Sequence, residues 1–440
     1  YTLSGGTHQL TVNQRPLIVT LARQYDATTT AAGSDLSSFN DLQGGETLSV
    51  SGSGTATSAN VANSIAMANN GTLALADGTG LASNYSLNST IINISQRVLN
   101  SSGSKIYDAN TDAIAANITL SNLASSETLN HSGTASIGSA NAGSYTITNL
   151  SGVSIADGSN GGLASNYTLT GGTHNFTVNQ RPLIATLARQ YDATTTAAGS
   201  DLSSFNDLQG GETLSVSGSG TATSANVANS IAMANNGTLA LADGTGLASN
   251  YSLNSTIINI SQRVLNSSGS KIYDANTDAI AANITLSNLA SSETLNHSGT
   301  ASIGSANAGS YTITNLSGVS IADGSNGGLA SNYTLTGGTH NFTVNQRAIS
   351  LSGTRLYDAT TNAAASDLST MANLVGSETL TLSGTGSIAS ANVSSNKTVT
   401  TGTLALADGS NGGLAANYTL SGGTHQLTVN QRPLIATLAR

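Results

Sequence analysis

Cysteine and tryptophan are absent from the sequence, proline occurs three times in 440 residues, and only 8% of the residues are charged. Without cysteine the chain can form neither disulfides nor a thiolate metal site. It has no basic run and its isoelectric point is near 4.9, so it lacks the basic surface of a nucleic-acid-binding protein. No apolar stretch reaches the roughly 20 residues of a membrane-spanning helix, and we expect no membrane insertion within this segment.

Glycine, serine, threonine, asparagine and alanine dominate the chain. A globular enzyme usually carries about 25% charged residues, so this composition is unusual for an enzyme. The chain is not typical of a disordered protein either, because its apolar residues recur at strand spacing and its net charge of −9 is small for its length. These features predict a folded, mostly β protein.

The dipeptide Gln-Arg marks an internal period. Its glutamines are Gln14, Gln96, Gln180, Gln262, Gln346 and Gln431, which gives spacings of 82, 84, 82, 84 and 85 residues. Internal repeats take precedence over a domain count based on length. The predicted segments are the end of a preceding repeat at 1–13, repeat 1 (type A) at 14–95, repeat 2 (type B) at 96–179, repeat 3 (type A) at 180–261, repeat 4 (type B) at 262–345, a related repeat 5 at 346–430 and the start of a further repeat at 431–440.

Each repeat carries the same landmarks in the same order. A Tyr-Asp-Ala motif has its tyrosine at Tyr25, Tyr107, Tyr191, Tyr273 and Tyr357, two residues after a Lys or Arg. Glu-Thr-Leu follows, with Glu46, Glu127, Glu212, Glu293 and Glu378. An Ala-Asp-Gly turn contains Asp77, Asp157, Asp243, Asp323 and Asp408, and the last motif, Asn-Tyr-(Ser/Thr)-Leu, contains Tyr85, Tyr167, Tyr251, Tyr333 and Tyr418.

A longer duplication lies above the single repeat. Residues 15–180 and 181–346 differ only at Val19 and Ala185, so the order is A-B-A-B followed by a related fifth unit. Enzymes rarely need several near-copies of one module in a row. Stalks, fibres and multivalent binders do, because they depend on length and copy number.

Local patterns predict short strands and one helical turn per repeat. The segment from Pro16 to Tyr25 is rich in apolar and β-branched residues and predicts the first strand. Leu36, Phe39 and Leu42 recur every three residues behind Ser34 and Asp35, which predicts a helical turn. The same spacing occurs at Leu368, Met371 and Leu374, and in shortened form at Leu120 and Leu123.

The predicted fold is therefore mostly β, a tandem array of small modules of about 83 residues, each a β-sandwich or β-grasp-like sheet with a short helical turn. The last strand of each repeat runs into the next Gln-Arg without a linker, which predicts head-to-tail docking. A parallel β-helix is an alternative, but its coils would repeat every 20–30 residues or so, and the landmarks repeat only at the longer period.

The repeated charged residues favour structural roles. Twelve of the thirteen Lys and Arg residues occupy two positions per repeat, with Lys397 as the exception. We interpret them as ion pairs with the equivalents of Asp26 and Glu46; a line of binding sites is the alternative. We expect Tyr25 to be a core anchor and Asp26 to bind a turn backbone, although a recognition patch stays open.

No residue pattern predicts a reaction centre. The loop that begins at Asp157 has one carboxylate, whereas Ca²⁺ takes six to eight oxygens, so its acid is interpreted as a turn former with calcium as the alternative. No histidine has a second metal-ligand residue nearby, and we expect His8, His131, His174, His297, His340 and His425 to be ordinary surface residues. We predict no enzyme, no catalytic, metal or cofactor-binding residue and no cofactor, and the ligand-binding residues are unknown.

Together these landmarks resemble the YDG-type repeat modules, relatives of the MBG modules, of large filamentous-haemagglutinin-like bacterial adhesins exported by two-partner secretion. The matching residues in repeat 2 include Lys105, Tyr107-Asp108, Glu127-Thr-Leu, Ala156-Asp157-Gly158 and Asn166-Tyr167-Thr. The family's usual Tyr-Asp-Gly is Tyr-Asp-Ala here. The resemblance implies an extracellular or surface protein of a Gram-negative bacterium that serves adhesion, aggregation or biofilm matrix, and it supplies no catalytic residues.

The functional prediction is a structural stalk or fibre segment of such an adhesin. A multivalent glycan- or mucin-binding module is the alternative, because repeated tyrosines and polar side chains could sum weak contacts. The expected partners are neighbouring repeats or further copies of the chain, with host or matrix glycans as a second class. Because the sequence opens and closes within a motif, we also expect it to be a piece of a longer chain.

Overall fold

The computed structural model describes residues 4–147, 149–313 and 315–435. The predicted fragments at 1–13 and 431–440 lie partly outside this range. The described chain consists of strands joined by loops and 3-10 turns, and it contains no α-helix within these limits. It forms two compact units, one made of Tyr1–Ala185, Phe205–Ser217 and Ala240–Ser255, the other of Thr186–Ser204, Gly218–Leu239 and Thr256–Arg440.

The strands follow the repeats closely. Repeat 1 contains β1 (Arg15–Gln24), β2 (Thr30–Ala32), β3 (Leu36–Phe39), β4 (Leu48–Ser51), β5 (Ser53–Ala56), β6 (Ala62–Asn69), β7 (Ala74–Asp77) and β8 (Tyr85–Ser95). Repeat 2 contains β9 (Arg97–Val98), β10 (Asn100–Ile106), β11 (Asp112–Ile114), β12 (Ile118–Ser121), β13 (Leu129–Ser136), β14 (Gly143–Thr146), β15 (Val153–Asp157), β16 (Tyr167–Thr168) and β17 (His174–Asn179).

Repeat 3 contains β18 (Arg181–Gln190), β19 (Thr196–Ala198), β20 (Leu202–Phe205), β21 (Leu214–Ser217), β22 (Ser219–Ala222), β23 (Ala228–Asn235), β24 (Ala240–Asp243) and β25 (Tyr251–Ser261). Repeat 4 contains β26 (Arg263–Val264), β27 (Asn266–Ile272), β28 (Asp278–Ile280), β29 (Ile284–Ser287), β30 (Leu295–Ser302), β31 (Gly309–Thr312), β32 (Val319–Asp323), β33 (Tyr333–Thr334) and β34 (His340–Asn345). Repeat 5 contains β35 (Arg347–Ala348), β36 (Ser350–Leu356), β37 (Asn362–Ala364), β38 (Thr370–Ala372), β39 (Leu380–Ser383), β40 (Thr385–Ile388), β41 (Ser394–Thr400), β42 (Ala405–Asp408), β43 (Tyr418–Thr419) and β44 (His425–Asn430).

Each repeat also has two 3-10 turns of three residues. The first of each pair is Gly33–Asp35, Ala115–Asn117, Gly199–Asp201, Ala281–Asn283 or Ala365–Asp367. The second directly precedes the Asn-Tyr strand and is Ala82–Asn84, Ala164–Asn166, Ala248–Asn250, Ala330–Asn332 or Ala415–Asn417.

Two related sheet arrangements alternate along the chain. Repeat 1 has a six-stranded sheet in the order β2-β5-β6-β8-β1-β3 and a separate β4-β7 pair. Repeat 2 has sheets β12-β10-β17-β14 and β11-β13-β15 and a short β16-β9 pair, and repeat 4 has the same arrangement. In repeats 1, 2, 4 and 5 the first long strand pairs in parallel with the last: β1 with β8, β10 with β17, β27 with β34 and β36 with β44.

The apolar cores continue from one repeat into the next within each compact unit. Leu17, Val19 and Leu21 alternate inward along β1 and are fully buried. Val19 and Leu21 belong to one cluster with Leu99, Ala124 and Tyr167 of repeat 2. A larger cluster in the second unit joins repeats 4 and 5 in the same way. Docking therefore adds apolar burial to modules whose own cores are small.

The predicted fold class is confirmed, since the chain is mostly β and is built of tandem modules of about 83 residues. The predicted position of the helical turn was wrong. Leu36–Phe39 and Thr370–Ala372 are strands, and the helical turn precedes each of them. The register between β1 and β3 shifts between Thr20 and Leu21, so Leu36 and Phe39 both reach the core three residues apart and imitate a helical period.

Candidate functional site: the junctions between repeats

The landmark residues of neighbouring repeats meet at one buried carboxylate. The hydroxyl of Tyr25 in repeat 1 donates to Oε1 of Glu127 in repeat 2 at 2.6 Å, and the hydroxyl of Tyr167 in repeat 2 donates to Oε2 at 2.5 Å. The two rings meet edge to face with centroids 5.4 Å apart. Tyr25, Glu127 and Tyr167 are at most 7% exposed. Both oxygens of the carboxylate therefore accept from tyrosines that belong to different repeats.

Local structure fixes the three side chains. Tyr25 comes immediately after β1, and its backbone N–H donates to the carbonyl of Ser95 at 2.9 Å. Glu127 lies in a turn closed by its own N–H on the carbonyl of Ala124 at 3.1 Å. Tyr167 follows the 3-10 turn Ala164–Asn166, and its hydroxyl also accepts the backbone N–H of Ala124 at 3.0 Å. The glutamate and the second tyrosine are thus preorganised within repeat 2.

Asn166 makes a second, neutral link across the junction. Its Oδ1 accepts the backbone N–H of Val61 at 2.9 Å, and its Nδ2 donates to Oδ1 of Asn60 at 3.0 Å. Asn166 is 1% exposed, so both groups of its amide are satisfied by repeat 1 away from water. Repeat 2 therefore holds a turn of repeat 1 through backbone and side chain together.

Arg97 places a positive charge beside this cluster. Its guanidinium donates to the carbonyl of Tyr25 at 3.3 Å and to the carbonyl of Asn122 at 2.6 Å. The arginine of the Gln-Arg landmark thus bridges the end of repeat 1 and a turn of repeat 2. A buried carboxylate is costly unless it is hydrogen-bonded or paired, and the hydroxyls of Tyr25 and Tyr167 meet that requirement for Glu127.

We call this set a junction cluster, and it occurs four times in the described residues. The first consists of Tyr25, Arg97, Glu127, Asn166 and Tyr167, the second of Tyr107, Arg181, Glu212, Asn250 and Tyr251, the third of Tyr191, Arg263, Glu293, Asn332 and Tyr333, and the fourth of Tyr273, Arg347, Glu378, Asn417 and Tyr418. Each cluster lies inside one compact unit. The ring centroids in all four are 5.3–5.4 Å apart.

Burial and the shared carboxylate both keep the junction tyrosines protonated. Desolvation, followed by the hydrogen bond to the glutamate, raises the pKa of Tyr107, Tyr167, Tyr273, Tyr333 and Tyr418 to about 12. The same two causes raise the pKa of Tyr25 and Tyr191 further. These hydroxyls therefore act as hydrogen-bond donors at neutral pH.

The prediction of ion pairs was right for one landmark and wrong for the other. Nη1 of Arg23 lies 3.1 Å from Asp26, and Nζ of Lys105 lies 2.8 Å from Asp108. Glu46, however, accepts from the hydroxyl of Tyr85 at 2.5 Å, as its equivalents do from their tyrosines. The arginine of the Gln-Arg landmark pairs instead with an aspartate of a nearby turn in two repeats, Arg15 with Asp41 at 3.8 Å and Arg181 with Asp207 at 2.9 Å.

The Tyr-Asp-Ala turn has the conformation of a glycine turn. Asp26 accepts the backbone N–H of Thr28 at 2.9 Å, and Tyr25 is 3% exposed, as predicted for both. Ala27, which lies between Asp26 and Thr28, has φ of +64°, and its four equivalents have φ of +60° to +65°. This left-handed conformation favours glycine, yet all five repeats have alanine there.

The prediction of surface histidines was wrong for three of the six. His174, His340 and His425 are 5–6% exposed. The Nε2–H of His174 donates to the carbonyl of Leu169 at 2.8 Å, and its Nδ1 accepts from Ser101 at 3.0 Å. His131 is half-buried on β13 with Nε2 3.0 Å from the carbonyl of Ala115. The parallel pairing of β10 with β17 places His174 beside Ser101, facing inward. The positions of the histidines in the sequence did not predict this burial.

The repeated aspartates of Ala-Asp-Gly act as turn formers. The Oδ1 of Asp157 accepts the backbone N–H of Ala164 at 2.8 Å, and Asp77 binds Ala82 in the same way at 2.7 Å. Each carboxylate thus holds the start of the 3-10 turn that presents the junction Asn and Tyr. Among the described residues no group of three or more His, Asp or Glu side chains is placed to hold a metal ion.

The glutamate and asparagine roles were missed by the sequence reasoning. Tyr25 and Glu127, and Tyr107 and Glu212, lie in adjacent repeats, so a search within one period does not join them. One feature of the sequence could have indicated these roles. Every repeat contains one Tyr-Asp-Ala, one Glu-Thr-Leu and one Asn-Tyr motif, and no catalytic or metal-binding pattern accounts for their repetition. At the fifth repeat the corresponding Tyr357 is 38% exposed, whereas its four equivalents are 3% exposed.

No helix in the described part of the chain has the length and apolar character needed to cross a membrane.

Comparisons with known proteins identify the modules. No curated protein sequence matches the chain. Among solved structures, the crystal structure of Drosophila N-cadherin EC1-4 is similar at 6% identity over 77% of this chain and 94% of that chain, with a TM-score of 0.12, a likeness too low to support an argument. The model of the YDG domain matches residues 9–92, 95–174, 179–258, 262–341 and 340–426. The chain therefore belongs to the YDG domain family, of which it contains five tandem copies.

Proposed function

We propose that this chain is a structural spacer, a stalk or fibre segment of a large secreted bacterial adhesin of the filamentous-haemagglutinin-like, two-partner-secretion class. One observation carries the proposal: the residues that recur in every repeat are used to dock one repeat onto the next. Tyr25, Glu127 and Asn166 are buried in such a junction, and their equivalents repeat it three more times. The proposal assigns the chain no catalytic role.

The extracellular location rests on composition and family. A chain without cysteine can be exported unfolded without disulfides that would obstruct the passage. Antibodies raised against the chain should label intact cells of the source bacterium, and protease added outside should remove the signal. Labelling only after lysis would contradict the secreted location.

Scattering tests the spacer role. Chains of two, three and five repeats should show a maximum dimension that grows by a constant step, about 30–40 Å per repeat if a ten-residue strand such as β1 sets the length. A junction variant, Tyr107→Ala with Glu212→Ala, should broaden the distance distribution without unfolding the modules. Dimensions that follow the weak length dependence of a compact globule would contradict the proposal.

We propose that the partners of such a segment are further copies of the same chain, which associate side by side. The chain has few charges to oppose pairing of sheet edges, and it carries three lysines. Sedimentation should show larger species at high concentration with little dependence on salt, because few charges are available to screen. A strictly monomeric species at every concentration and salt would contradict this part of the proposal.

Glycan binding remains the second candidate function, but it would use residues other than the repeated tyrosines on which the sequence prediction was based. The junction tyrosines are buried, so a glycan would have to contact other side chains. A polar hollow in repeat 4, lined by Asn315, Ser317 and Thr336 beside His340, is the surface that favours this candidate. Binding on a glycan array that is lost in Asn315→Ala would support it, and no signal from the five-repeat chain would remove it.

A further inference from the structure

In the B repeats a lysine side chain points into the protein, and the isoleucine that follows it on the same strand points outward. The two pairs are Lys105 with Ile106 and Lys271 with Ile272. The side chain of Lys105 is 6% exposed while Ile106 is 51% exposed, and the side chain of Lys271 is 7% exposed while Ile272 is 60% exposed. This order is the reverse of the usual one, because an ammonium group is costly to bury and an isoleucine is favourable to bury. The inward lysine therefore calls for a specific explanation.

Each of these ammonium groups lies against the side-chain amide of an asparagine. Nζ of Lys271 is 2.6 Å from Oδ1 of Asn276, 2.8 Å from the backbone carbonyl of Asn276 and 2.8 Å from Oδ1 of Asp274. The corresponding distances from Lys105 to Asn110 and Asp108 are 2.7, 2.8 and 2.8 Å. A nucleophilic nitrogen, a carboxamide and a carboxylate thus meet in both B repeats.

The amide is held in a way that suits attack on its carbon. Its Oδ1 accepts the backbone N–H of Asp278 at 2.9 Å, and in repeat 2 that of Asp112 at 2.9 Å. A backbone donor at this place would stabilise negative charge that develops on the oxygen. In repeat 4 the amide nitrogen Nδ2 of Asn276 donates to Oδ2 of Asp274 at 3.1 Å. One carboxylate therefore touches both the amine and the nitrogen that would leave.

Lysine and asparagine occur together or not at all at these positions. The A repeats and repeat 5 combine arginine with threonine instead, in the pairs Arg23 and Thr28, Arg189 and Thr194, and Arg355 and Thr360. These arginines bind the same turn; a guanidinium of Arg189, for example, donates to the carbonyl of Thr194 at 2.6 Å. Arginine stays protonated in proteins and threonine has no carboxamide, so only the B repeats hold a pair that can react.

We infer that Lys105 and Asn110, and likewise Lys271 and Asn276, join in intramolecular isopeptide bonds. Asp108 takes a proton from the ammonium, and the neutral Nζ attacks Cγ of Asn110. Asp108 then returns the proton to Nδ2, and the bond from Cγ to Nδ2 breaks. Nζ gives its excess proton to the departing ammonia, so one Nζ–Cγ bond replaces one Cγ–Nδ2 bond and ammonium leaves. The step needs no oxidant and no cofactor.

The bond acts on the junction through the turn that it closes. Residues 105–110 include Tyr107, which docks on Glu212 of the next repeat at 2.6 Å. A covalent link between the end of β10 and Asn110 would keep this tyrosine in place even when the strand frays. The B repeats would thus carry locked donor tyrosines, and the A repeats would carry tyrosines held by hydrogen bonds alone.

Intact-mass spectrometry of the folded five-repeat chain tests the inference. The expected result is a mass lower than the sequence mass by two ammonia molecules, together with a cross-linked peptide that joins residue 105 to residue 110. The variant Lys105→Arg with Lys271→Arg should return to its sequence mass, as should Asp108→Asn with Asp274→Asn if it folds. Circular dichroism of each variant establishes that the fold is kept.

The lysine variant separates this bond from a second source of ammonia loss. An asparagine can lose ammonia by cyclising onto its own backbone, and that reaction does not need the lysine. If the deficit persists in Lys105→Arg with Lys271→Arg, the inference is overturned. A wild-type chain that keeps its full sequence mass after prolonged incubation at mildly alkaline pH also overturns it, and the lysines then only clamp the turn.

Discussion

Tyr25 of the first repeat and Glu127 of the second are joined by a buried hydrogen bond of 2.6 Å. The residues come from different modules, and each is a landmark by which the repeats are recognised in the sequence. The bond therefore connects the repetition of the sequence to the cohesion of the array. Nearest-neighbour interfaces of this kind contribute much of the stability of repeat proteins.

Asn166→Ala should loosen the first junction. The change removes both bonds to Asn60 and Val61 and leaves the half-buried backbone N–H of Val61 without its acceptor, so we expect a loss of about 1–3 kcal/mol. The measurement is hydrogen exchange of the amides around Val61. Asn84→Ala is the matched control, because Asn84 holds the same landmark position but is exposed. Equal effects of the two variants would contradict the role given to Asn166.

Alkaline pH should weaken the junctions before it unfolds the modules. A tyrosine in the unfolded chain loses its proton near pH 10, whereas Tyr167 in the folded chain keeps it to a pKa of about 12. Between these values the unfolded state binds fewer protons, so the free energy of unfolding falls as pH rises. The stabilisation is fully present below pH 10 and is lost as pH passes about 12. Urea midpoints across this range, with ultraviolet titration of tyrosinate, provide the measurement; an ordinary titration near pH 10 for all tyrosines would disagree.

Ala109→Gly should stabilise the second repeat. Ala109 has φ of +62°, and the left-handed region costs a non-glycine residue about 1–2 kcal/mol. The greater freedom of glycine in the unfolded chain offsets part of this, which leaves a net gain of about 0.5–1 kcal/mol. Ala113→Gly, on the buried strand β11, is the control and should destabilise. A raised urea midpoint only in Ala109→Gly is the expected result, and a lowered one would count against the turn assignment.

At the Tyr-Asp-Ala motif the sequence predicted the local structure correctly but did not predict the contact with the next repeat. Burial of Tyr25 and the turn bond of Asp26 followed from residue type and local pattern, as did the strands and the period. The partner of Tyr25 did not, because Glu127 lies in the next repeat and only the packed structure brings them together. Leu36 was misassigned to a helix because a register shift in its sheet replaced the two-residue period of a regular strand. His174 was misassigned because its burial depends on the parallel pairing with β10.

Thr90→Val should stabilise repeat 1. Thr90 is 4% exposed and its hydroxyl is buried without a hydrogen-bond partner, at the place where repeat 2 has His174. Valine has nearly the same shape and removes an unsatisfied polar group, so we expect a gain of about 1 kcal/mol. Thr72→Val is the control, because the hydroxyl of Thr72 accepts the N–H of Ser53 at 3.0 Å and its loss should destabilise. The same sign for both variants in urea unfolding would refute the assignment.

A double-mutant cycle between Tyr25 and Glu127 tests the central claim most directly. The three chains are Tyr25→Phe, Glu127→Gln and the two combined, and local opening at the first junction is measured by hydrogen exchange. If the residues act together, the effects will not add, and the coupling energy will be about 1–2 kcal/mol. Tyr357→Phe combined with Glu127→Gln is the control pair and should be additive, because Tyr357 is 38% exposed and belongs to none of the four junction clusters. A coupling near zero between Tyr25 and Glu127 would contradict the claim that the repeated landmarks hold the array together.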